Sequence, residues 1–196
     1  MTTNMKEKIK SVSIRLFHKK GYFATGVSDI AKGCGIRKAS IYYHYPTKED
    51  ILLDIFMTTM TELESHLIDS ITQTSGTEEK LWAAIRSHIL FHIDRQKEVI
   101  IADSELRGLS PENYQTVIQM RDQHESHFQT LIKQGMEAGF LAEGDVRVLS
   151  YAILTMCTAV ATWFSAKGRL PKEDIICIYE NFILNGLKGG TIGTDR

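Results

Sequence analysis

The stretch "GIRKASIYYHYPTKEDIL", Gly35–Leu52, decides the fold of this chain. It places three tyrosines and a histidine in four consecutive positions, residues 42–45, with lysines on both sides. A globular core does not need so many polar-tipped rings on one helical turn. The run therefore indicates a surface that meets a partner.

The residues around this run predict two short helices joined by a tight turn at Cys34-Gly35. This is the layout of a helix-turn-helix, whose second helix enters the major groove of DNA. At about 100° per residue, Ile41 and Tyr45 share one helical face and point inward, toward Leu16, Phe17 and Ile30. The outward face then carries Ser40, Tyr43 and His44, with Lys38 at the start of the helix.

The charge distribution supports a nucleic-acid partner. Residues 1–50 hold 10 Lys/Arg and 4 Asp/Glu, whereas the remaining 146 residues hold 13 Lys/Arg and 20 Asp/Glu. Such a split is typical of a basic end that meets a polyanion. Tyrosine, histidine and lysine side chains can donate to phosphate oxygens, and Lys48 begins a further helix whose N-terminus also favours a phosphate.

The order of residues in "GYFATGVSDIAKGCGIRKASIYYHYPTKEDIL" resembles the N-terminal DNA-binding domain of the TetR family of bacterial transcriptional regulators. The resemblance covers about residues 8–55 and implies a DNA-binding regulator, with an inducer-binding and dimerising remainder, rather than an enzyme. Gly26, Gly33 and Arg37 depart from the family pattern, so the operator sequence cannot be transferred. The DNA-contacting set predicted in this way is Thr25, Ser28, Arg37, Lys38, Ala39, Ser40, Tyr42, Tyr43, His44 and Lys48.

The periodicity along the rest of the chain predicts an all-α protein. We expect a three-helix DNA-binding domain in residues 1–50, a ligand-binding and dimerisation bundle in residues 51–188, and a flexible tail in residues 189–196. Start signals predict helices capped by Thr25, by Thr47 with Asp50, by Ser110 before a proline, and by Asp145. The last two helices are predicted at residues 146–166 and 172–187.

The segments "ELRGLSP" and "MRD" and the ending "WFSAKGRLPKEDI" resemble a TetR-family subgroup that senses acyl-CoA thioesters. A site for such a ligand needs an apolar tunnel and a few cations for the phosphates. In the alternative, the two arginines are solvated or paired and the apolar residues are core. The candidate ligand residues are Leu63, Leu67, Ile85, Ile89, Leu106, Arg107, Met120, Arg121, His124, Phe128 and Met156.

The histidines form two pairs at helical spacing. His88 and His92 are four residues apart, and His124 and His127 are three apart, so each pair shares a helical face. Convergence of the two pairs would suit zinc or nickel. No cysteine accompanies them, and we therefore favour hydrogen-bonded or surface histidines over a metal site.

The helix predicted at residues 146–166 is apolar nearly all round, so it must be covered on every side. A second copy of the chain is a natural cover, and a two-fold dimer would present two recognition helices to successive half-sites. The alternative is burial within one monomer. The predicted dimer-interface residues are Tyr151, Trp163, Phe164, Tyr179 and Ile183.

Composition excludes several other classes. The segment "MTTNMKEKIKSV" lacks the apolar run of a signal peptide, and no stretch has the length of a membrane span, so we expect a cytoplasmic protein with no membrane partner. Cys34, Cys157 and Cys177 are interpreted as reduced thiols. Nucleophile-elbow, dinucleotide and P-loop motifs are missing, so we expect neither catalysis nor a cofactor. An acyl-CoA enzyme and a multidrug sensor using Glu62, Glu64, Asp69 and Glu105 remain as alternatives.

Overall fold

A computed structural model describes residues 5–189, and this part of the chain is helical with short connections. The predicted tail, residues 189–196, lies outside the described residues except for Gly189. The helices are α1 (Met5–Lys20), α2 (Val27–Cys34), α3 (Lys38–His44), α4 (Lys48–Thr72), α5 (Thr77–Asp94), α6 (Gln96–Ser104), α7 (Pro111–Glu137), α8 (Val146–Thr158), α9 (Val160–Trp163) and α10 (Lys172–Lys188), with a 3₁₀ turn at Leu106–Gly108. The all-α prediction is confirmed.

The chain folds as two compact units. Unit 1 combines the residues up to Thr61 with Gln96–Gln119, and unit 2 combines Glu62–Arg95 with the residues from Met120 onward. Each unit has its own core, because the buried apolar side chains form one cluster in unit 1 and a separate cluster in unit 2. Helices α4 and α7 contribute residues to both units.

The starts of α4 and α8 follow from local capping chemistry. The backbone N–H of Asp50 donates to Thr47 Oγ1 at 3.1 Å, and the backbone N–H of Thr47 donates to Asp50 Oδ2 at 2.8 Å, which completes the predicted capping box. The Asp145 carboxylate accepts from the backbone N–H groups of Arg147 and Val148. These side chains satisfy donors that the first helical turn leaves unpaired.

The prediction that Thr25 caps α2 is wrong. Gly26 is the N-cap, and its N–H donates to the Asp29 carboxylate at 3.0 Å. The Thr25 hydroxyl instead donates to the Gly21 carbonyl at 2.8 Å, because Thr25 is buried one residue before the cap. The cap therefore comes from the third helical residue rather than from the preceding threonine.

The helix predicted at residues 146–166 is divided into α8 and α9 and ends three residues early. Ala159 separates them, and the backbone N–H of Thr162 bonds the Ala159 carbonyl at 3.0 Å, a tightened i to i+3 turn. The Thr162 hydroxyl also donates to that carbonyl, at 2.8 Å. Hydroxyl competition for backbone carbonyls is a general reason why threonine weakens a regular helix.

Candidate functional site

The turn between α2 and α3 is fixed by two glycines. Gly35 has φ 69° and ψ 31°, the left-handed conformation that glycine adopts without strain, and it ends α2. Gly33 faces α1 so closely that a Cβ there would lie 2.6 Å from a Val12 methyl group. Gly33 therefore lets α1 and α2 approach, which explains a residue that is otherwise a weak helix former.

Helix α3 buries one face and exposes the other, as its spacing predicted. Ile41 and Tyr45 are buried in the core of unit 1 with Phe17 and Ile30, and Tyr45 donates its hydroxyl to Asp54 at 2.5 Å. Tyr43 is 85% exposed. The other predicted DNA-contacting residues with exposed side chains are Ser28, Arg37, Lys38, Ala39, Ser40 and Tyr42, while His44 is half-buried.

Two predicted DNA-contacting residues are engaged inside unit 1. Thr25 is fully buried. The Lys48 ammonium donates to the carbonyls of Tyr22 and Thr25, both at 3.0 Å, and lies 4.1 Å from the centre of the Tyr22 ring. Burial lowers the pKa of Lys48, and the nearby Glu105 carboxylate opposes this effect. Lys48 therefore holds in place the loop before α2, residues 21–26.

The same loop has a second support, Glu105, which sequence reasoning placed only among possible drug-binding carboxylates. The backbone N–H of Tyr22 donates to Glu105 Oε1 at 3.2 Å. The other carboxylate oxygen is buried and accepts no hydrogen bond from the described residues. Beside it, the Arg107 guanidinium lies 5.4 Å from the centre of the exposed Phe23 ring. No local sequence signal links Glu105 to Tyr22, because 83 positions separate them.

The predicted ligand residues divide between the two units. Leu106 and Arg107 belong to unit 1, and the remaining nine belong to unit 2. Within unit 2, Leu67, Ile85, Ile89 and Phe128 are buried in the core cluster, Met156 packs on its edge, and Leu63 and His124 are also buried. Met120 and Arg121 are half-buried.

A buried polar network occupies the middle of unit 2. His88 Nδ1 lies 3.1 Å from His124 Nε2, and His88 Nε2 lies 3.1 Å from Thr158 Oγ1. His92 Nε2 lies 3.3 Å from the same hydroxyl, and His92 Nδ1 lies 2.7 Å from the backbone carbonyl of His88. His124 Nδ1 in turn lies 3.1 Å from Glu64 Oε2. The two histidine pairs therefore converge through hydrogen bonds, and the described residues form no cluster suited to a metal ion.

Burial controls the charge of this network. It lowers the pKa of His88 well below the ordinary value and that of His92 to about 4. Burial also lowers the pKa of His124, and the hydrogen bond to Glu64 opposes the effect. His88 and His92 are therefore neutral at pH 7.

An exposed apolar surface runs along α8, α9 and α10. Tyr151 and Phe182 are 60% and 69% exposed. Between α8 and α10 lies a groove of about 670 Å³, lined mainly by apolar side chains. Of the predicted interface residues, Tyr151 and Trp163 are exposed, Tyr179 is half-buried and stacks on Trp163 at 6.3 Å, Phe164 is half-buried, and Ile183 is buried.

The window Val146–Trp163 within this surface has a mean hydropathy of 1.4, and 28% of it is buried in the protein. Its length and composition are those of a membrane span, but core helices of soluble proteins share them, so this single window does not contradict the prediction that the chain has no membrane span. It contains two helices, because α8 ends at Thr158 and α9 begins at Val160.

Comparison with known proteins identifies the fold. Residues 9–55 match the family described as bacterial regulatory proteins, tetR family, and residues 74–187 match the tetracyclin repressor-like C-terminal domain. The chain belongs to the TetR family. It is therefore a ligand-responsive transcriptional regulator and not an enzyme, and members of this family bind operator DNA as homodimers.

Several TetR-family proteins are similar over nearly the whole chain. The fatty acid metabolism regulator protein of Bacillus subtilis is 27% identical over 184 residues, which is 93% of either chain. The crystal structure of PfmR from Thermus thermophilus is 30% identical, with a TM-score of 0.84 over 91% of this chain and 98% of that one. The structure of AibR in complex with isovaleryl coenzyme A and operator DNA is 25% identical, with a TM-score of 0.84 over 94% and 98% of the two chains.

Proposed function

We propose that this protein is a cytoplasmic repressor that binds a palindromic operator as a homodimer and is released by an acyl-CoA thioester. The observation that carries the ligand class is similarity over almost the full length to a fatty acid metabolism regulator and to a regulator solved with isovaleryl coenzyme A. The similarity extends through the C-terminal region, in which residues 74–187 match the tetracyclin repressor-like C-terminal domain.

The exposed face of α3 supports the choice of DNA-contacting residues. Four of these side chains are exposed to solvent: Lys38, Ser40, Tyr42 and Tyr43. Lys38 extends over the Tyr42 ring at 5.8 Å, and the Tyr43 ring meets His44 edge-on at 5.1 Å. The proposal is that these groups bind phosphates and base edges, while Thr25 and Lys48 act by holding the loop before α2.

Salt titration of operator binding tests this assignment. Lys38→Ala removes one cation per subunit, and therefore two per bound dimer, from the phosphate contacts, so the slope of log K against log salt should become shallower by about 2. Tyr43→Ala should weaken binding by about tenfold and leave the slope unchanged, because the lost group is neutral. Lys133→Ala, which removes an exposed cation from α7 in unit 2, is the matched control and should change neither quantity. An unchanged operator affinity in both α3 variants would reject the proposed docking of α3.

Three of the four carboxylates named for a multidrug sensor have partners within the protein, and the fourth, Asp69, is exposed. Glu62 pairs with Arg95 at 2.6 Å, and Glu64 accepts hydrogen bonds from α7. Glu105 accepts from the backbone of Tyr22. A site for aromatic cations needs free carboxylates, so these contacts favour the thioester over a drug-like cation.

A thermal-shift series tests the ligand class. The pure protein is heated with CoA alone and then with acyl-CoAs of rising chain length. A ligand that binds only the folded state raises Tm by mass action, by an amount that grows with concentration over Kd. A rise that requires the acyl chain and peaks at one length, together with release of operator DNA, supports the proposal. A flat series would remove the acyl-CoA assignment while leaving DNA binding intact.

The exposed surface of α8, α9 and α10 is proposed as the dimer interface. It presents several large apolar side chains to solvent in one chain, and such a patch is typical of a protein-protein contact. Burial of this surface by a second copy would also cover the apolar window Val146–Trp163.

A further inference from the structure

The hydrogens of the buried network in unit 2 can be assigned one contact at a time. The assignment starts from a group that can only accept a hydrogen bond. The backbone carbonyl of His88 can only accept, so His92 Nδ1 must carry a hydrogen and donate to it. His92 is neutral, so its Nε2 has a lone pair and accepts the hydroxyl hydrogen of Thr158. The hydroxyl oxygen of Thr158 is then available to accept.

The next two contacts follow from the first two. His88 Nε2 faces the accepting Thr158 oxygen, so it carries the hydrogen of that contact. Neutral His88 therefore has a lone pair on Nδ1, and His124 Nε2 must donate to it. Each contact uses one hydrogen. Because a neutral imidazole has one donor and one acceptor nitrogen, the role of one nitrogen fixes the role of the other.

At Glu64, the last contact of the network, this assignment places two acceptors opposite each other. A neutral His124 that donates through Nε2 has a lone pair at Nδ1, and this lone pair would face Glu64 Oε2 at 3.1 Å. An ionised carboxylate is also only an acceptor. Two facing acceptors at this distance in a largely buried position would repel each other, so the pair needs one more hydrogen than a neutral imidazole and a carboxylate supply.

We propose that His124 and Glu64 share one additional proton in the folded protein, and that this proton is a pH-sensitive lock between α4 and α7. The proton lies between Nδ1 and Oε2, so either an imidazolium faces a carboxylate or a carboxylic acid donates to an imidazole. The number of hydrogen bonds is the same in both forms. The other Glu64 oxygen accepts from His127 Nε2 at 2.7 Å and from Gln123, which holds the carboxyl group in place.

The surroundings of the pair determine how the lock titrates. Glu64 is the titratable group from α4, His88 and His92 come from α5, and the contact from α8 is made by the uncharged Thr158 hydroxyl. From α7, Arg121 acts on His92, and His127 reaches the carboxylate. From α10, Glu180 pairs with Arg86 of α5. The Glu64 side chain is 23% exposed, so the shared proton can exchange with solvent.

The sign of the pH dependence follows from counting protons. In the unfolded chain above about pH 6.5, Glu64 is ionised and His124 is neutral, so the pair holds no proton. The folded pair holds one, because the contact between Nδ1 and Oε2 requires it, and this requirement acts against the lowering of the His124 pKa by burial. The folding equilibrium constant therefore falls with rising pH, by up to about tenfold per pH unit, until the folded pair also loses its proton. The lock is closed at neutral pH and opens toward alkaline pH.

Glu64→Gln separates the hydrogen bonds from the proton. The amide in this variant can donate its NH₂ to His124 Nδ1 and accept from His127 through its oxygen, so every contact is satisfied without the additional proton. Glu62→Gln is the matched control, because it makes the same change two residues away on α4, at a carboxylate that pairs with Arg95 and not with His124. Urea unfolding is followed for all three proteins from pH 6.5 to 9.

The expected result is a rise in the folding constant of Glu64→Gln relative to wild type as the pH increases, approaching tenfold per pH unit, with a constant ratio for Glu62→Gln. A ratio for Glu64→Gln that does not change with pH would overturn the proposal.

Thr158→Val provides a second route if Glu64→Gln does not fold. Loss of the hydroxyl frees His88 to donate through Nδ1, so His124 can donate to Glu64 without an additional proton. This variant should also lose the pH dependence, and retention of the wild-type dependence would overturn the proposal. Neither result depends on the effector, so failure here leaves the proposed function untouched.

Discussion

Phe182 offers the sharpest test of the dimer. It lies on α10 and is 69% exposed in the single chain. A phenylalanine has a surface of roughly 150–250 Å², so about 130 Å² of apolar area is accessible per chain, and about 260 Å² across a two-fold interface. At about 25 cal/mol per Å², complete burial would contribute about 6 kcal/mol to association, and half burial about 3 kcal/mol. Phe182→Glu removes this contribution and adds two like charges, so we expect dimer affinity to fall by at least about a hundredfold.

Sedimentation velocity at about micromolar concentration measures this change, since the monomer mass is 22.2 kDa. Tyr114→Glu is the control, because Tyr114 is an exposed aromatic residue on α7 that belongs to unit 1, whereas the proposed interface belongs to unit 2. The monomeric Phe182→Glu protein should keep its helical circular dichroism, because the side chain contributes little to the core, and it should lose tight operator binding. A Phe182→Glu protein as dimeric as Tyr114→Glu would show that α10 does not form the interface.

Three further predictions concern stability, each measured by urea unfolding. Tyr45→Phe removes the hydroxyl that donates to Asp54, so it should cost about 1–2 kcal/mol, and no loss would show that the hydrogen bond is not stabilising. Gly35→Ala forces a side chain into the left-handed region, although nothing lies within 4 Å of the new Cβ, and should cost about 1 kcal/mol from the backbone alone. Because the pKa values of His88 and His92 are lowered in the folded protein, only the unfolded chain protonates these two histidines in mild acid. The free energy of unfolding should therefore decrease as pH falls from about 6.5 toward 4, by up to about 1.4 kcal/mol per pH unit for each histidine. A free energy of unfolding that does not change over this range would contradict the neutrality of the two histidines.

The DNA-binding region could be predicted from sequence because its signals are local. The spacing of Ile41 and Tyr45 determines which face of α3 is buried, and Gly35 supplies the left-handed residue that ends α2. The error at Thr25 has a physical cause of the same kind. A threonine is a good N-cap, but the neighbouring Gly26 adopts the extended conformation of the cap, and Asp29 closes the box from inside the helix.

The roles of Lys48 and Glu105 could not be predicted, because they depend on contacts between distant segments. A lysine at a helix N-terminus next to a DNA-binding motif indicates a phosphate ligand. The structure shows that its ammonium is already bound to two carbonyls of the loop before α2, while Glu105 accepts the N–H of Tyr22 from a segment about 80 positions away. The local sequence pattern predicts the helical face on which a residue lies. The partners of Lys48 and Glu105 follow from the packing of distant segments within unit 1.

The histidines show where this limit lies most clearly. Their spacing predicted that each pair shares a helical face, and it allowed the two pairs to converge around a metal. Convergence does occur between His88 and His124, but the fate of the ring nitrogens depends on Thr158 and Glu64, which come from two other helices. With those two groups in place, each nitrogen of His88 and His124 that a metal would need already has a hydrogen-bond partner. A cluster whose sequence pattern suits a metal site is therefore a hydrogen-bonded network in the structure, and its hydrogen positions depend on one hydroxyl and one carboxylate that no histidine pattern can reveal.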